Sequence, residues 1–286
     1  MPMLSREELI EQAYFFRILS ERTRQQMPSQ EVISSIKEEV LSTTKLPMAL
    51  DFISSELRLS GVFAPAMRRL DHYFTPFQTF IVSEAENDRG RFELNTGLEI
   101  LRREAEFRGG QPTPQALFLY QFESISRNRL NYDHGLQAVA DDPIFDEAWH
   151  DWILTVRRQI GLVDIADLIY VRSEFYVLQK ARQQQPVNRD ELPPVLFGEK
   201  EGRIALVNRR KDPLLLFSAL SRQLGYPEIP RPKPEDNSGE VLMQLVRRVE
   251  RMEQRIKLLE EEQKGGIDIQ KFYQTPEGGF NPPKEP

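Results

Sequence analysis

Three carboxylates lie close together in the apolar segment GLVDIADLIYVRSEFYVL, residues 161–178. If this segment is one helix, a rotation of about 100° per residue puts Asp164, Asp167 and Glu174 within about 80° of each other. Acids grouped on one edge suit a metal ion or general acid catalysis when they are buried without cationic partners. None of the three has a cation three or four positions away, so pairs within the helix do not neutralise them.

Structural roles explain the same acidic edge. Asp164 would lie in the first turn of a helix that begins after Gly161, where the helix dipole favours a carboxylate. An edge that faces solvent needs no partner, whereas a buried edge needs arginines from other helices, because an unpaired buried carboxylate is costly. We expect one of these architectural roles. Four arginines in two other predicted helices are candidate partners: Arg127, Arg129, Arg157 and Arg158.

A second candidate site is DEAWH, in which Glu147 and His150 have the Glu-x-x-His spacing of di-iron helix bundles. Such a site needs the motif on two helices and a glutamate from each of two others. The remaining histidines, His72 and His134, have no glutamate three residues before them. We therefore predict neither a metal site nor a cofactor, and we interpret His150 beside Trp149 as part of a half-buried helix.

Several kinds of catalytic chemistry have no sequence support. The chain has no cysteine, which excludes disulfides, thiolate metal sites and a cysteine nucleophile. It has no Gly-x-Ser-x-Gly nucleophile elbow, and it has neither of the glycine-rich loops that usually hold nucleotide phosphates. We expect a non-catalytic protein.

The charge of the chain limits its partners. A net charge of −6 argues against a general binder of nucleic acid or of anionic membranes, since both need a cationic surface. No apolar run approaches the roughly 20 residues of a membrane span, and we expect a cytoplasmic location. The best basic cluster, Arg203, Arg209, Arg210 and Lys211, would sit on a β-hairpin. It suits either phosphate contacts or a charged edge strand, and we favour the edge strand.

The helix start and stop signals predict a mainly α fold. Residues 1–185 carry repeated cap and proline signals for a multi-helix domain, among them the predicted N-caps Ser5, Thr75, Thr113 and Asp146. The two apolar runs around GEKEG predict a β-hairpin, which a short helix follows. The predicted divisions are a helical domain at 1–185, a hairpin-and-helix appendage at 186–225, a proline-rich linker at 226–239, a coiled coil at 240–264 and a disordered tail at 265–286.

The clearest pattern in the chain is a heptad repeat in EVLMQLVRRVERMEQRIKLLEEEQ. Its a and d positions are apolar at spacings of three and four, and β-branched residues at a with Leu or Met at d favour two parallel strands. Arginines at g face glutamates at the following e positions of a parallel partner. The predicted oligomerisation residues are Leu242, Leu245, Val249, Met252, Ile256 and Leu259 in the seam, with Arg248, Glu253, Arg255 and Glu260 beside it.

These patterns predict a self-associating scaffold or adaptor. Its helical domain would bind another protein, not a membrane, while a parallel dimeric coiled coil sets the copy number. The alternative is an enzyme or ligand-binding protein with a carboxylate-lined site among the helices. A third hypothesis is weak nucleic-acid binding through the basic hairpin. The first two hypotheses differ in where the candidate acids lie. Several acids that point into one pocket without arginine partners would favour the enzyme or ligand-binding protein. Acids that are paired or exposed would favour the scaffold.

Overall fold

The computed structural model describes residues 4–87, 92–182 and 193–231, together with Arg248, Val249, Met252, Glu253 and Ile256. The chain divides into two compact units, Met1–Pro232 and Lys233–Pro286. Within the described residues the secondary structure is helical, with isolated bridges in place of strands, so the mainly α prediction is confirmed. No helix in those ranges is both long and apolar enough to cross a membrane.

The first unit contains thirteen helices in the ranges described. In chain order they are α1 Arg6–Arg24, α2 Ser29–Glu39, α3 Leu46–Ser60, α4 Ala64–Arg69, α5 Pro76–Ala85, α6 Leu94–Gly109, α7 Pro114–Arg127, α8 Tyr132–Ala140, α9 Glu147–Gln159, α10 Ile165–Val171, α11 Glu174–Arg182, α12 Glu199–Val207 and α13 Pro213–Leu224.

Side-chain caps start several of these helices where the sequence signals them. Ser5 accepts a hydrogen bond from the backbone of Glu8 at the start of α1. Thr75 and Gln78 form a reciprocal capping box on α5, and Thr113 and Asp146 cap α7 and α9. Each cap satisfies a backbone N–H that has no partner within its helix, which contributes about 1 kcal/mol.

Aromatic side chains fill the centre of the first unit. Phe118 on α7 contacts both Trp149 and Trp152 of α9, with ring centroids 5.8 and 4.8 Å away. Phe197, which precedes α12, packs edge-on against both indoles. Such pairs add about 0.5–1.5 kcal/mol each beyond the burial of their area. Both indoles are buried while the opposite face of α9 is exposed, so the prediction of a helix half-buried through its tryptophans is confirmed.

The predicted β-hairpin is wrong in the described residues, because Glu199–Val207 is the helix α12. Gly198 occupies its N-cap, and Glu199 and Glu201 in the first turn complement the helix dipole. Within the described residues 193–210, Phe197 alone makes a bridge, to Ser173. A short apolar run such as IALV fits a strand or a helix equally well, and tertiary packing selected the helix.

The residues after 192 belong to the same core as the helices before them. Leu196, Leu216 and Phe217 are buried in it, so the predicted division at residue 185 does not coincide with a gap in packing. The predicted linker also begins too early, because Tyr226 and Ile229 are 4% and 3% exposed. Its residues 226–231 form an extended strap on the helices, and residues 232–239 lie outside the described residues.

Five predicted coiled-coil residues in the second unit are described. Arg248, Val249, Met252, Glu253 and Ile256 are helical, and all are exposed. The other predicted oligomerisation residues lie outside the described residues, as does the tail at 265–286. These are Leu242, Leu245, Arg255, Leu259 and Glu260.

Candidate functional site

The segment 161–178 forms two helices, so the single acidic edge predicted for it does not exist. Helix α10 ends at Val171 and α11 begins at Glu174. At the break, the carbonyl of Arg172 accepts hydrogen bonds from the backbone of Leu196 and Phe197, at 2.9 and 3.1 Å. The chain before α12 is therefore hydrogen-bonded at this break, and α10 and α11 are separate helices.

Asp164 and Asp167 both hold the turn that joins α12 to α13. Asp164 caps α10 through the backbone of Ala166 and accepts a second hydrogen bond from the backbone N–H of Arg210, at 2.7 Å. Asp167 forms a salt bridge with Arg209, whose guanidinium lies 4.6 Å from the ring centroid of Tyr170. Both carboxylates thus act as acceptors between elements.

Three of the four arginines predicted to neutralise these acids have other partners, and the fourth, Arg129, does not bond to the acids either. Arg127 pairs with Glu123 in its own helix. Arg157 pairs with Asp133 at 2.7 Å, and Arg158 donates to the carbonyl of Leu154. The correct partner, Arg209, lies 42 positions from Asp167. No helical spacing relates residues that far apart, so the sequence pattern had no means of selecting it.

The other candidate polar residues do not join this pair. Glu174 and Glu147 are exposed in the first turns of α11 and α9. His150 lies on the protein surface. Its Nε2 is 3.9 Å from a carboxylate oxygen of Asp141, and its Nδ1 is 3.6 Å from one of Asp151. Among the described residues no group of three or more acids and histidines could hold a metal ion. The five predicted site residues therefore do not form one site.

A buried polar network that sequence reasoning missed crosses the first unit. Arg108 on α6 bonds to Glu104 one turn earlier, at 2.9 Å, and to Asp142 after α8. Gln121 of α7 donates to Glu104 at 2.8 Å, and Gln78 of α5 donates to its other oxygen at 3.2 Å. Burial opposes the charge of Arg108, but Asp142 and Glu104 raise the pKa of its guanidinium above the ordinary value.

A cavity of about 450 Å³ lies beside this network, and its size falls in the range of small-molecule sites. Its polar lining includes Gln12, Gln78 and Arg108, together with Asp71, His72 and Tyr73. Several of these groups are already engaged: Gln78 donates to Gln12 at 2.9 Å, and its carbonyl oxygen accepts from the backbone of Thr75. Gln12 in turn donates to the carbonyl of Tyr73. Most of these groups bond to one another, as in a packed polar core. Two lining residues nevertheless keep a polar side-chain atom that is buried without a hydrogen-bond partner among the described residues: the hydroxyl of Tyr73 and Nε of Arg108.

A second buried carboxylate anchors the strap. Glu123 accepts from the hydroxyl of Tyr226 at 2.7 Å, and burial together with this carboxylate raises the pKa of the Tyr226 hydroxyl. Further along the strap, Arg103 donates to the carbonyl of Glu228 at 2.6 Å. The first unit therefore holds its final residues at several fixed points. The only sequence signal for this docking is the pair of large apolar residues among the prolines.

Comparison with known proteins adds no assignment. The chain matches no protein-family model, no curated protein and no solved structure.

Proposed function

We propose that this protein is a non-catalytic, self-associating scaffold or adaptor. In this proposal, a parallel two-stranded coiled coil in the second unit sets the copy number, and the helical first unit binds another protein. Pairing two binding units raises the strength of attachment without any new contact, provided both engage at once.

The observation that carries the proposal is the exposure of the heptad seam. Val249, Met252 and Ile256 are helical, with 47%, 57% and 53% of their surface exposed in the single chain. Their spacing of three and four puts them on one helix face. Water-exposed apolar side chains in a regular stripe favour burial against a second helix. A second copy of this chain offers the same stripe in the matching register.

Charges beside the seam support a parallel pair. Arg248 and Glu253 occupy g and the following e, and both are exposed. In a parallel register each arginine reaches the glutamate of the other chain, five positions later. In an antiparallel register g positions face g positions, which brings arginine against arginine. The pattern thus favours parallel pairing through charge, although each exposed pair contributes only about 0.2–1 kcal/mol.

The two alternative functions lack such support. The predicted carboxylate site is divided among separate surfaces, with Asp164 and Asp167 engaged in holding a turn. The basic cluster predicted for nucleic acid is not on a hairpin, and Arg203 and Arg209 pair with Glu199 and Asp167. Arg210 and Lys211 of that cluster are exposed and form no salt bridge within the described residues, but two cations do not make the continuous basic face that nucleic-acid binding needs.

Light scattering of the full chain tests the proposal. We expect twice the chain mass of 33.4 kDa for the native protein. Replacing Val249→Asp and Ile256→Asp places two charges in the seam of each chain and should give a monomer. The matched control, Arg247→Asp with Gln254→Asp, adds the same number of aspartates at the outer f positions and should stay dimeric. A native monomer, or a seam variant of unchanged mass, contradicts the proposal.

Orientation needs its own measurement. A fluorophore pair attached at the start of the heptad segment reports a short separation in a parallel dimer and a long one in an antiparallel dimer. Charge reversal of Arg248→Glu and Arg255→Glu should weaken the dimer, and adding Glu253→Arg and Glu260→Arg should restore it. If the added substitutions Glu253→Arg and Glu260→Arg do not restore the dimer, the parallel register is contradicted.

A further inference from the structure

The cavity beside the Arg108 network is lined by both exposed and buried residues. Arg6, Asp71 and His72 are exposed, whereas Tyr73 and Phe74 are buried. The lining thus extends from the protein surface into the core, so the cavity is accessible from solvent. An engineered cavity of about 150 Å³ is enough to bind benzene. The cavity of about 450 Å³ in this protein therefore has room for a larger molecule.

Much of the cavity wall is apolar. Six of its lining residues are leucine, isoleucine, phenylalanine or proline, namely Leu4, Leu9, Phe74, Pro112, Pro143 and Ile144. A water molecule held in a protein typically makes about three hydrogen bonds to polar groups, which such a wall does not supply. Burial of an apolar molecule against the same wall is favourable. This part of the cavity therefore suits a hydrocarbon group better than water.

Two buried donors in the lining have no hydrogen-bond partner among the described residues. They are Nε of Arg108, whose side chain is 9% exposed, and the hydroxyl of Tyr73, which is 2% exposed. The terminal nitrogens of Arg108 bond to Glu104 and Asp142, which leaves Nε without an acceptor. The hydroxyl of Tyr73 keeps its proton at neutral pH, since burial and the nearby carboxylate of Glu8 raise its pKa. A buried donor without an acceptor costs stability, and folded proteins keep few of them.

The charges of the network favour a neutral ligand. The single positive charge of Arg108 already faces two buried carboxylates, Glu104 and Asp142. An anion would bring a third negative charge to this one cation in a buried setting, where unbalanced charge is costly. A cation is disfavoured as well, because the two unpartnered groups are donors and need an acceptor. A carbonyl oxygen meets this need, since it accepts two hydrogen bonds and requires no acceptor of its own.

We propose that this cavity binds a neutral, mainly apolar molecule through a carbonyl oxygen. The oxygen accepts from Nε of Arg108 and from the hydroxyl of Tyr73, and the hydrocarbon body packs against the apolar wall. In the part of the chain that the structure describes, none of the five candidate polar residues predicted from the sequence lines this cavity. The site is therefore distinct from the carboxylate-lined one, and the proposal goes beyond the scaffold function without depending on self-association.

Calorimetric titration of the full chain with three naphthalene derivatives of equal size tests the site. Methyl naphthyl ketone carries the carbonyl oxygen, isopropylnaphthalene has a methyl group in its place, and naphthoate carries a negative charge. We expect the ketone to bind about fivefold more tightly than the hydrocarbon, which is the effect of one hydrogen bond of typical net strength. We expect naphthoate to bind more weakly than the ketone.

Two variants each remove one of the unpartnered donors. Tyr73→Phe keeps the ring, and Arg108→Lys keeps the positive charge that faces Glu104 and Asp142. Loss of the preference for the ketone over the hydrocarbon in either variant assigns the ketone to this cavity. The matched control is Tyr176→Phe on α11, which makes the same change at a residue that does not line the cavity and should keep the preference. Urea unfolding should find Tyr73→Phe at least as stable as the native chain, because the hydroxyl that it removes has no partner.

Three outcomes overturn the proposal. They are absence of ketone binding, binding of the hydrocarbon or of naphthoate as tightly as the ketone, and an unchanged preference for the ketone in both variants. The titration is independent of the dimer test, since the seam variant Val249→Asp with Ile256→Asp should bind the ketone as the native chain does.

Discussion

The hydroxyl of Tyr226 donates a hydrogen bond to the buried carboxylate of Glu123 over 2.7 Å, although 103 residues separate them. Arg127 bonds to the same carboxylate from the following turn of α7. Glu123 is thus a buried acid with two partners, one from its own helix and one from the end of the unit. Through this contact Tyr226, at the start of the proline-rich segment, becomes part of the buried core.

The strap should contribute measurably to the stability of the first unit. Tyr226→Phe leaves Glu123 without one of its donors, and we expect a loss of about 1–3 kcal/mol in the free energy of unfolding. Ile229→Ala removes buried methyl groups and should cost about 2–5 kcal/mol. Urea denaturation measures both. Glu228→Ala changes an exposed side chain between them and is the control. Equal stabilities for all three variants would show that the strap does not dock in solution.

The Arg108 network should behave as one charged unit. Arg108→Met leaves Glu104 and Asp142 buried without their cation, and we expect a loss of about 3–5 kcal/mol in the free energy of unfolding. Adding Glu104→Gln and Asp142→Asn removes the uncompensated charge, so the triple variant should be more stable than the single one. A triple variant less stable than Arg108→Met would contradict this account.

Asp164 and Glu174 should differ in their effect on stability. Asp164 caps α10 and accepts from the backbone of Arg210, so Asp164→Ala should cost about 1–2 kcal/mol. Glu174 is exposed, and Glu174→Ala should fall within about 0.5 kcal/mol of the native chain. Thermal unfolding of both variants checks the order. The reverse order would argue for a buried acid at residue 174 and against the break between α10 and α11.

The acid stability of the protein should depend on Glu39. Arg22 and the hydroxyl of Tyr14 bond to its carboxylate and hold its pKa below the ordinary value of 4.5. A lowered folded pKa stabilises the fold fully above the unfolded pKa, and that contribution is lost as pH falls through the folded value. Glu39→Gln should therefore lose less stability than the native chain between about pH 6 and about pH 3.

Urea unfolding at both pH values measures this difference. The control is Glu38→Gln, which changes an exposed glutamate one position earlier in α2. It should keep the pH dependence of the native chain. Identical pH profiles for the native chain and Glu39→Gln would mean that the contacts to Arg22 and Tyr14 do not persist in solution.

Local signals in the sequence determined the helices well. Ser5, Thr75, Thr113 and Asp146 each start a helix where the cap signal predicts one, because capping involves residues two or three positions apart. The helical class of the fold follows from the same short-range rules. The hairpin failed because α12 has a short apolar run that fits both periodicities, so packing alone decides between them.

The candidate site depended on contacts that no local rule contains. Asp164, Asp167 and Glu174 share an edge only if the helix continues, and the chain at Leu196 and Phe197 interrupts it at Arg172. The partner of Asp167 is Arg209, from an element predicted as a strand. The buried network joins Gln78, Glu104 and Asp142 from separate elements, none of which carries a recognisable motif.

The sequence by itself therefore determined where the capped helices begin, which of their faces are apolar and the heptad stripe, since these depend on residues within one or two turns. Tertiary structure alone decided which charges are buried together, where a helix breaks and which apolar side chains remain in water. These features depend on contacts between segments that are distant in the sequence. The stability of a charged or apolar side chain is set by the groups packed around it, and the local sequence does not specify those groups.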